Sequence, residues 1–214
     1  KKKLLFIELN EINFDIVKLY LDMNYSLPNF SKINEFSSIN TFAEEKYEAI
    51  EPWIQWHSIH TGQDYNEHKI FRLGDGVKSK SKNIYNKLQD LNYTVGAISP
   101  MNLKNNLTNP KYFIPDPWTN TVADNSWWSK KIHSLIIQSV NDNSSTKLTL
   151  TSIFTLLIGI IRFAKIKNYF KYIYLALFSF KKNKWRKSLF LDLFLNDINI
   201  NYLRTYSPNY SSIF

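Results

Sequence analysis

The run Leu4-Leu5-Phe6-Ile7, followed by Glu8 and Leu9, constrains this chain most. Continuous apolar character over so few residues predicts a strand buried on both faces, central in a parallel sheet. The required crossover is legible downstream. Residues 83–91 predict an amphipathic helix with Ile84, Leu88 and Leu91 on one face, and residues 93–99 predict a strand that stops at Pro100. Strand, loop, helix and strand at these lengths make a βαβ pattern, so the expected fold class is α/β, a parallel sheet sandwiched by helices.

Between these elements the pattern predicts a loop at 10–13, a helix over 14–23 and a turn at Leu27-Pro28-Asn29-Phe30 into a short helix ending near Phe36. Residues 38–43 predict a second strand. Pro52 opens a helix that runs to His60 and closes at Gly62, with Glu51 at its N-cap. Residues 110–117, with Pro115 and Pro117, read as a loop. After Ser126 the character changes: 126–140, 146–164, 168–180 and 184–203 all predict helices, with a break at 141–146. The expected organisation is an α/β part over 1–125 and a mostly helical insertion or cap over 126–214.

Aromatic residues make up 16% of the chain, six of them Trp, a load that excludes a disordered chain. The absence of Cys excludes disulfides and thiolate metal sites. The formal charge of +9 accompanies abundant Lys, Asn and Ile, as AT-rich coding produces, and it also favours anionic partners. No nucleic-acid recognition motif accompanies that charge, so nucleic acid is not an expected partner. Residues 148–161 carry no charge, but a membrane span needs about 20 apolar residues, and Thr149, Thr151, Ser152 and Thr155 interrupt the stretch. A buried helix is expected there. Arg162, Lys165, Lys167, Lys171 and then Lys181-Lys182-Asn183-Lys184-Trp185-Arg186-Lys187 alternate with Tyr and Phe. That pattern fits either a solvated basic face or a surface seated on anionic lipid. Lys1 to Ile7 is too short for a signal peptide and Glu8 interrupts it, so the expected location is cytoplasmic or membrane-peripheral.

Two segments can carry chemistry. Glu8-Leu9-Asn10-Glu11 ends the first strand, where parallel sheets hold ligands, and offers oxygen donors to a divalent cation. By spacing alone, Glu11 reads as a loop carboxylate in water. The second segment runs from Glu51 to Gly62. Its helix N-terminus favours an anion, and His57 and His60, three apart, could chelate a metal. His57 and Ser58, as helical neighbours, point apart and make no catalytic pair.

These segments, in order with Glu67-His68-Lys69-Ile70-Phe71-Arg72-Leu73-Gly74-Asp75, resemble a bacterial branch of the alkaline phosphatase superfamily. That superfamily holds type I phosphodiesterase/nucleotide pyrophosphatases, sulfatases and phosphonate hydrolases. Thr61-Gly62 and His68-Lys69-Ile70 match its frame, and Ile98-Ser99-Pro100-Met101-Asn102 and Pro115-Asp116-Pro117-Trp118 match the narrower branch. The resemblance implies a metal-dependent phosphoric or sulfuric ester hydrolase with Zn, Mn or Mg. It puts Asn10 and Glu11 at a metal, and Trp53, Gln55 and His57 at the substrate. Asn10 stands where the family has a ligand Asp. Pro52 stands where it has its nucleophile, leaving Glu51, a metal-bound water or a shifted geometry for that role. The family draws most of its metal ligands from the second half of its domain, and beyond His68 the only His is His133. The resemblance therefore implies an incomplete alkaline phosphatase-like domain, inactive alone. The alternative is a non-catalytic module of the same fold that binds an anionic membrane or a polysaccharide-assembly partner.

Overall fold

The computed structural model describes residues 2–141, 148–179 and 185–214. β1 spans Leu4–Ile7. Asn13 caps α1 (Phe14–Asp22), its Oδ1 accepting from the Asp15 and Ile16 N–H groups. α2 (Pro28–Asn34) follows, and a 3-10 turn at Tyr47–Ala49 leads to α3 (Pro52–Thr61). Pro52 starts α3 without loss of a helical hydrogen bond, and Gly62 ends it at φ 69, a left-handed conformation natural to glycine. α4 (Tyr65–His68) and α5 (Ile84–Asp90) each open on a reciprocal cap, Asp64 with Glu67 and Asn83 with Asn86. β2 (Val95–Ile98) and β3 (Tyr112–Ile114) come next. α6 (Trp127–Asn141), α7 (Leu150–Phe163), α8 (Tyr169–Ser179) and α9 (Trp185–Tyr206) precede β4 (Tyr210–Ile213).

The four strands form one parallel sheet in the order β1-β4-β2-β3. The protein is thus α/β, with a parallel sheet and mostly helical content. Side chains alternate between two cores. On one face Tyr85 of α5 packs with Val95, Ala97, Phe113 and Tyr210. On the other, Ile98, Tyr112 and Ile114 meet Ile132 and Ile136 of α6 and Phe194 and Ile198 of α9.

Three expectations are corrected. β1 is parallel but not central: β4 takes the middle position, and Leu4, Leu5 and Ile7 stay exposed at the edge. Residues 38–43 form no strand and lie exposed. The loop expected over 110–117 contains β3, whose three residues are fully buried between the two cores. The four helices after Ser126 are observed. Residues 142–146 of the expected break and Lys181 to Lys184 of the basic cluster lie outside the described residues.

Gly96 sits in one register row with Tyr112 on one side and Ser211 on the other. The Tyr112 side chain crosses Gly96, and its hydroxyl meets the Ser211 hydroxyl at 2.5 Å. A Cβ on Gly96 would stand 2.4 Å from the Tyr112 ring. That ring is buried and held at its far end, so it cannot yield. Gly96→Val is expected to lower stability by about 1–3 kcal/mol, read as a lower urea midpoint at unchanged slope.

Candidate functional site

The C-terminal ends of the strands carry the candidate residues, as in other parallel sheets. The Glu8 N–H donates to the Ile213 carbonyl at 2.8 Å, extending the β1–β4 ladder by one residue. That extra bond fixes Glu8 under α3. Its carboxylate lies 3.2 Å from the His60 Nε2, and both side chains are 0% exposed. The approach lacks hydrogen-bond alignment, and both carboxylate oxygens and both ring nitrogens have no hydrogen-bond partner. Trp56 and Tyr85 flank His60, with ring centroids at 6.2 and 5.8 Å, and Phe214 lies against Trp56.

Asn10 and Glu11 follow in an exposed turn, Glu11 at φ 59. The Asn10 Oδ1, the atom that a metal would use, accepts from the Trp56 indole N–H at 3.2 Å. Among the described residues no three His, Asp or Glu side chains gather into a metal-binding group.

The residues expected at the substrate are not brought together. Glu51 stands at the N-cap position of α3, exposed, with no side-chain capping bond. It lines a shallow cleft of about 370 Å³ with Glu48, Trp53 and Arg72. The Trp53 indole N–H is anchored on the Phe71 carbonyl at 3.0 Å. Gln55 faces a second cleft of about 540 Å³, beside Glu44 and Asp64, and its amide donates to the Ala49 carbonyl. His57 points into the interior.

The His residues are settled by their partners. The Asn102 carbonyl can only accept, so His57 carries its proton on Nδ1 and donates at 3.1 Å, while its Nε2 accepts from Ser79 at 3.1 Å. Burial holds His57 neutral, pushing its pKa down to about 4. The His68 Nδ1 accepts from the Ile70 N–H at 2.9 Å, which leaves the proton on Nε2, donated to the Ser58 hydroxyl at 3.0 Å. His68 therefore cannot take a proton from Ser58, and the pair is structural. Burial lowers the His68 and His133 pKa values as well.

Asn102 ties the surroundings together from a fully buried position at φ 56. Its Oδ1 accepts from the Gly74 and Gly76 N–H groups at 2.9 and 2.8 Å, and its Nδ2 reaches the Trp53 and Arg72 carbonyls at 3.1 and 3.3 Å. Its own N–H donates to the Asp116 carboxylate at 2.7 Å. Asp116 also accepts from the Trp118 and Thr119 N–H groups and the Thr119 hydroxyl. Burial pushes the Asp116 pKa above its ordinary value, against these four donors.

Sequence reasoning offered the Glu8 segment and His60 as possible metal donors without bringing the two together, and assigned no site role to Asn102 or Asp116. For Glu8 a signal existed in its place at the carboxyl end of the first strand, where parallel sheets hold ligands. Compared with known proteins, the chain matches no family model, no curated protein and no solved structure.

Asn102→Ala strips partners from the Gly74 and Gly76 N–H groups and from two carbonyls, so a loss of about 3 kcal/mol is expected in urea unfolding. Between pH about 4 and 6.5 the unfolded chain protonates His57 and the folded chain does not. That part of the stability is complete above pH about 6.5 and is lost on acidification toward pH about 4, by about 3 kcal/mol. His57→Gln should flatten the decline when urea midpoints are measured across this window.

Proposed function

We propose that the chain serves a divalent metal acting on a phosphoric or sulfuric ester, the chemistry its resemblance to the alkaline phosphatase superfamily implies. In this reading Glu8 and His60 face the metal, rather than Asn10 and Glu11. The observation that carries it is the buried Glu8–His60 pair, in which four polar atoms lack hydrogen bonds. Buried polar atoms are nearly always satisfied, and an unsatisfied group calls for an ion, a water or a functional reason. One carboxylate and one imidazole suit zinc or manganese better than magnesium. Two ligands about 2.0–2.1 Å from one tetrahedral ion stand about 3.3 Å apart, close to the 3.2 Å separation of the pair. Bound there, such an ion would polarise an ester oxygen or acidify a water.

Glu51 is not the nucleophile of this pair. It precedes His60 by nine residues along α3, about 13 Å at about 1.5 Å per residue. Its cleft sets the Glu48 and Glu51 carboxylates against a single Arg72 guanidinium, apart from the metal pair. With two donors and no third among the described residues, the ion is expected to bind without turnover. The non-catalytic alternative on the same framework is favoured by the same lack of a third donor among the described residues.

After EDTA treatment, titration calorimetry with Zn²⁺ and Mn²⁺ is expected to give one site per chain, with a raised melting temperature. Glu8→Gln and His60→Gln should each weaken binding about tenfold or more. Turnover of 4-nitrophenyl phosphate or sulfate by residues 1–214 is expected to be absent. A flat titration with no melting shift, or unchanged binding in both variants, sinks the assignment of the pair.

A further inference from the structure

We propose that α7 and α8 form a docking face for the surface of an anionic lipid bilayer. This inference is independent of the metal reading. Both helices are built inside out. Along α7, Leu150, Phe154, Leu157, Ile158 and Ile161 recur at helical spacing on the exposed side. The side turned inward holds Ser152, Thr155 and Gly159 together with Phe163. A Cβ on Gly159 would stand 2.7 Å from the Phe194 ring, so α9 packs directly on the α7 backbone. The Ser152 hydroxyl bonds to Gln138 of α6.

α8 repeats the inversion. Phe170, Ile173, Tyr174 and Leu177 share its exposed side. Inward lies a polar knot: the buried Asp197 of α9 accepts from the Asn168 amide at 2.8 and 3.0 Å and from the Tyr172 hydroxyl at 2.9 Å. A water-facing helix places its apolar stripe on the core and its polar residues outside. Here a stripe of large apolar side chains points out, while the inward side mixes small and polar residues with Phe163, Tyr172 and Leu175. An exposed apolar stripe of this length marks a surface that something else covers.

Charge selects the occupant. Residues 148–214 contain ten Lys and Arg against two Asp, a formal +8. Residues 1–147 contain seventeen basic against sixteen acidic side chains, leaving only +1 of the chain's +9. A second copy seated on this face would set the Arg162, Lys165, Lys167 and Lys171 side chains against their own copies, which disfavours a symmetric dimer. An anionic bilayer meets both features at once. At the α7–α8 junction Ile161, Ile166 and Phe170, exposed by 73, 81 and 83%, alternate with Arg162, Lys165, Lys167 and Lys171. The Arg186 guanidinium lies over the Tyr174 and Trp185 rings at 5.7 and 5.3 Å, extending the basic and aromatic surface to the start of α9. Such a combination seats a helix in the headgroup region with its apolar side chains in the acyl boundary. No helix among the described residues is long and apolar enough to cross a membrane, so the contact proposed is with the surface.

Co-sedimentation with phosphatidylcholine–phosphatidylglycerol vesicles, in EDTA so that metal plays no part, tests the proposal. The chain should pellet with these vesicles at low salt and bind about tenfold more weakly to pure phosphatidylcholine or at high salt. Leu157→Glu combined with Phe170→Glu, both at exposed positions, should keep the circular dichroism spectrum and lose about tenfold in binding. Lys165→Gln, Lys167→Gln and Lys171→Gln together should weaken only the binding to anionic vesicles. Failure to pellet at low salt overturns the proposal. So does unchanged binding by the Leu157→Glu/Phe170→Glu variant, which would assign the attraction to charge elsewhere. A dimer in light scattering that this variant makes monomeric would assign the face to a second copy.

Discussion

β4 joins parts of the sheet that lie far apart in the chain. It pairs with β1 on one side and β2 on the other, so every backbone hydrogen bond between the N-terminal strand and the rest of the sheet passes through it. Its middle residues are Ser211 and Ser212, buried in the sheet centre where apolar side chains usually stand. Each hydroxyl is satisfied by a tyrosine from an opposite face: Ser211 by Tyr112 of β3, and Ser212 by Tyr85 of α5. Buried hydroxyls without partners would cost more than the strand pairing gains. The two Tyr–Ser contacts therefore make this polar strand admissible at the centre of the fold.

The same placement creates the candidate metal pair. Because β4 lies beside β1, the ladder continues to Glu8 and draws its carboxylate beneath the last turn of α3, against His60. Burial then acts on the whole neighbourhood. It raises the pKa values of Tyr85 and Tyr210, with the Glu8 charge pushing the same way, and it keeps His57 and His68 neutral. Asn102, through bonds to the loop at 72–76, to α3 and to Asp116, holds the surrounding backbone in one arrangement. In such a low-dielectric setting an unsatisfied carboxylate–imidazole pair is costly, which is why the proposed reading places an ion there.

The helical part obeys a different logic. α6 and α9 bury apolar faces on the sheet, whereas α7 and α8 combine buried Phe163, Tyr172 and Leu175 with the polar contacts of Asp197, Asn168, Gln138 and Ser152, and leave a second apolar stripe outside.

Local chemistry alone determined much of this protein. Pro52 and Gly62 bound α3, Asn83 caps α5, and the period of Ile84 and Leu88 made that helix legible, as did the change of character after Ser126. The α/β class with parallel strands followed from Leu4–Ile7 and Val95–Ile98, whose apolar runs need no partner to be recognised. β3 and β4 were not legible in that way. β3 is three residues beside prolines, and β4 is half serine, so neither carries a strand period. The central place of β4, the edge place of β1, the meeting of Glu8 with His60 and the outward turn of the α7 and α8 stripes were decided only by the tertiary structure. Each depends on which distant side chain satisfies a buried polar group, and that is a property of the packed molecule rather than of any segment of it.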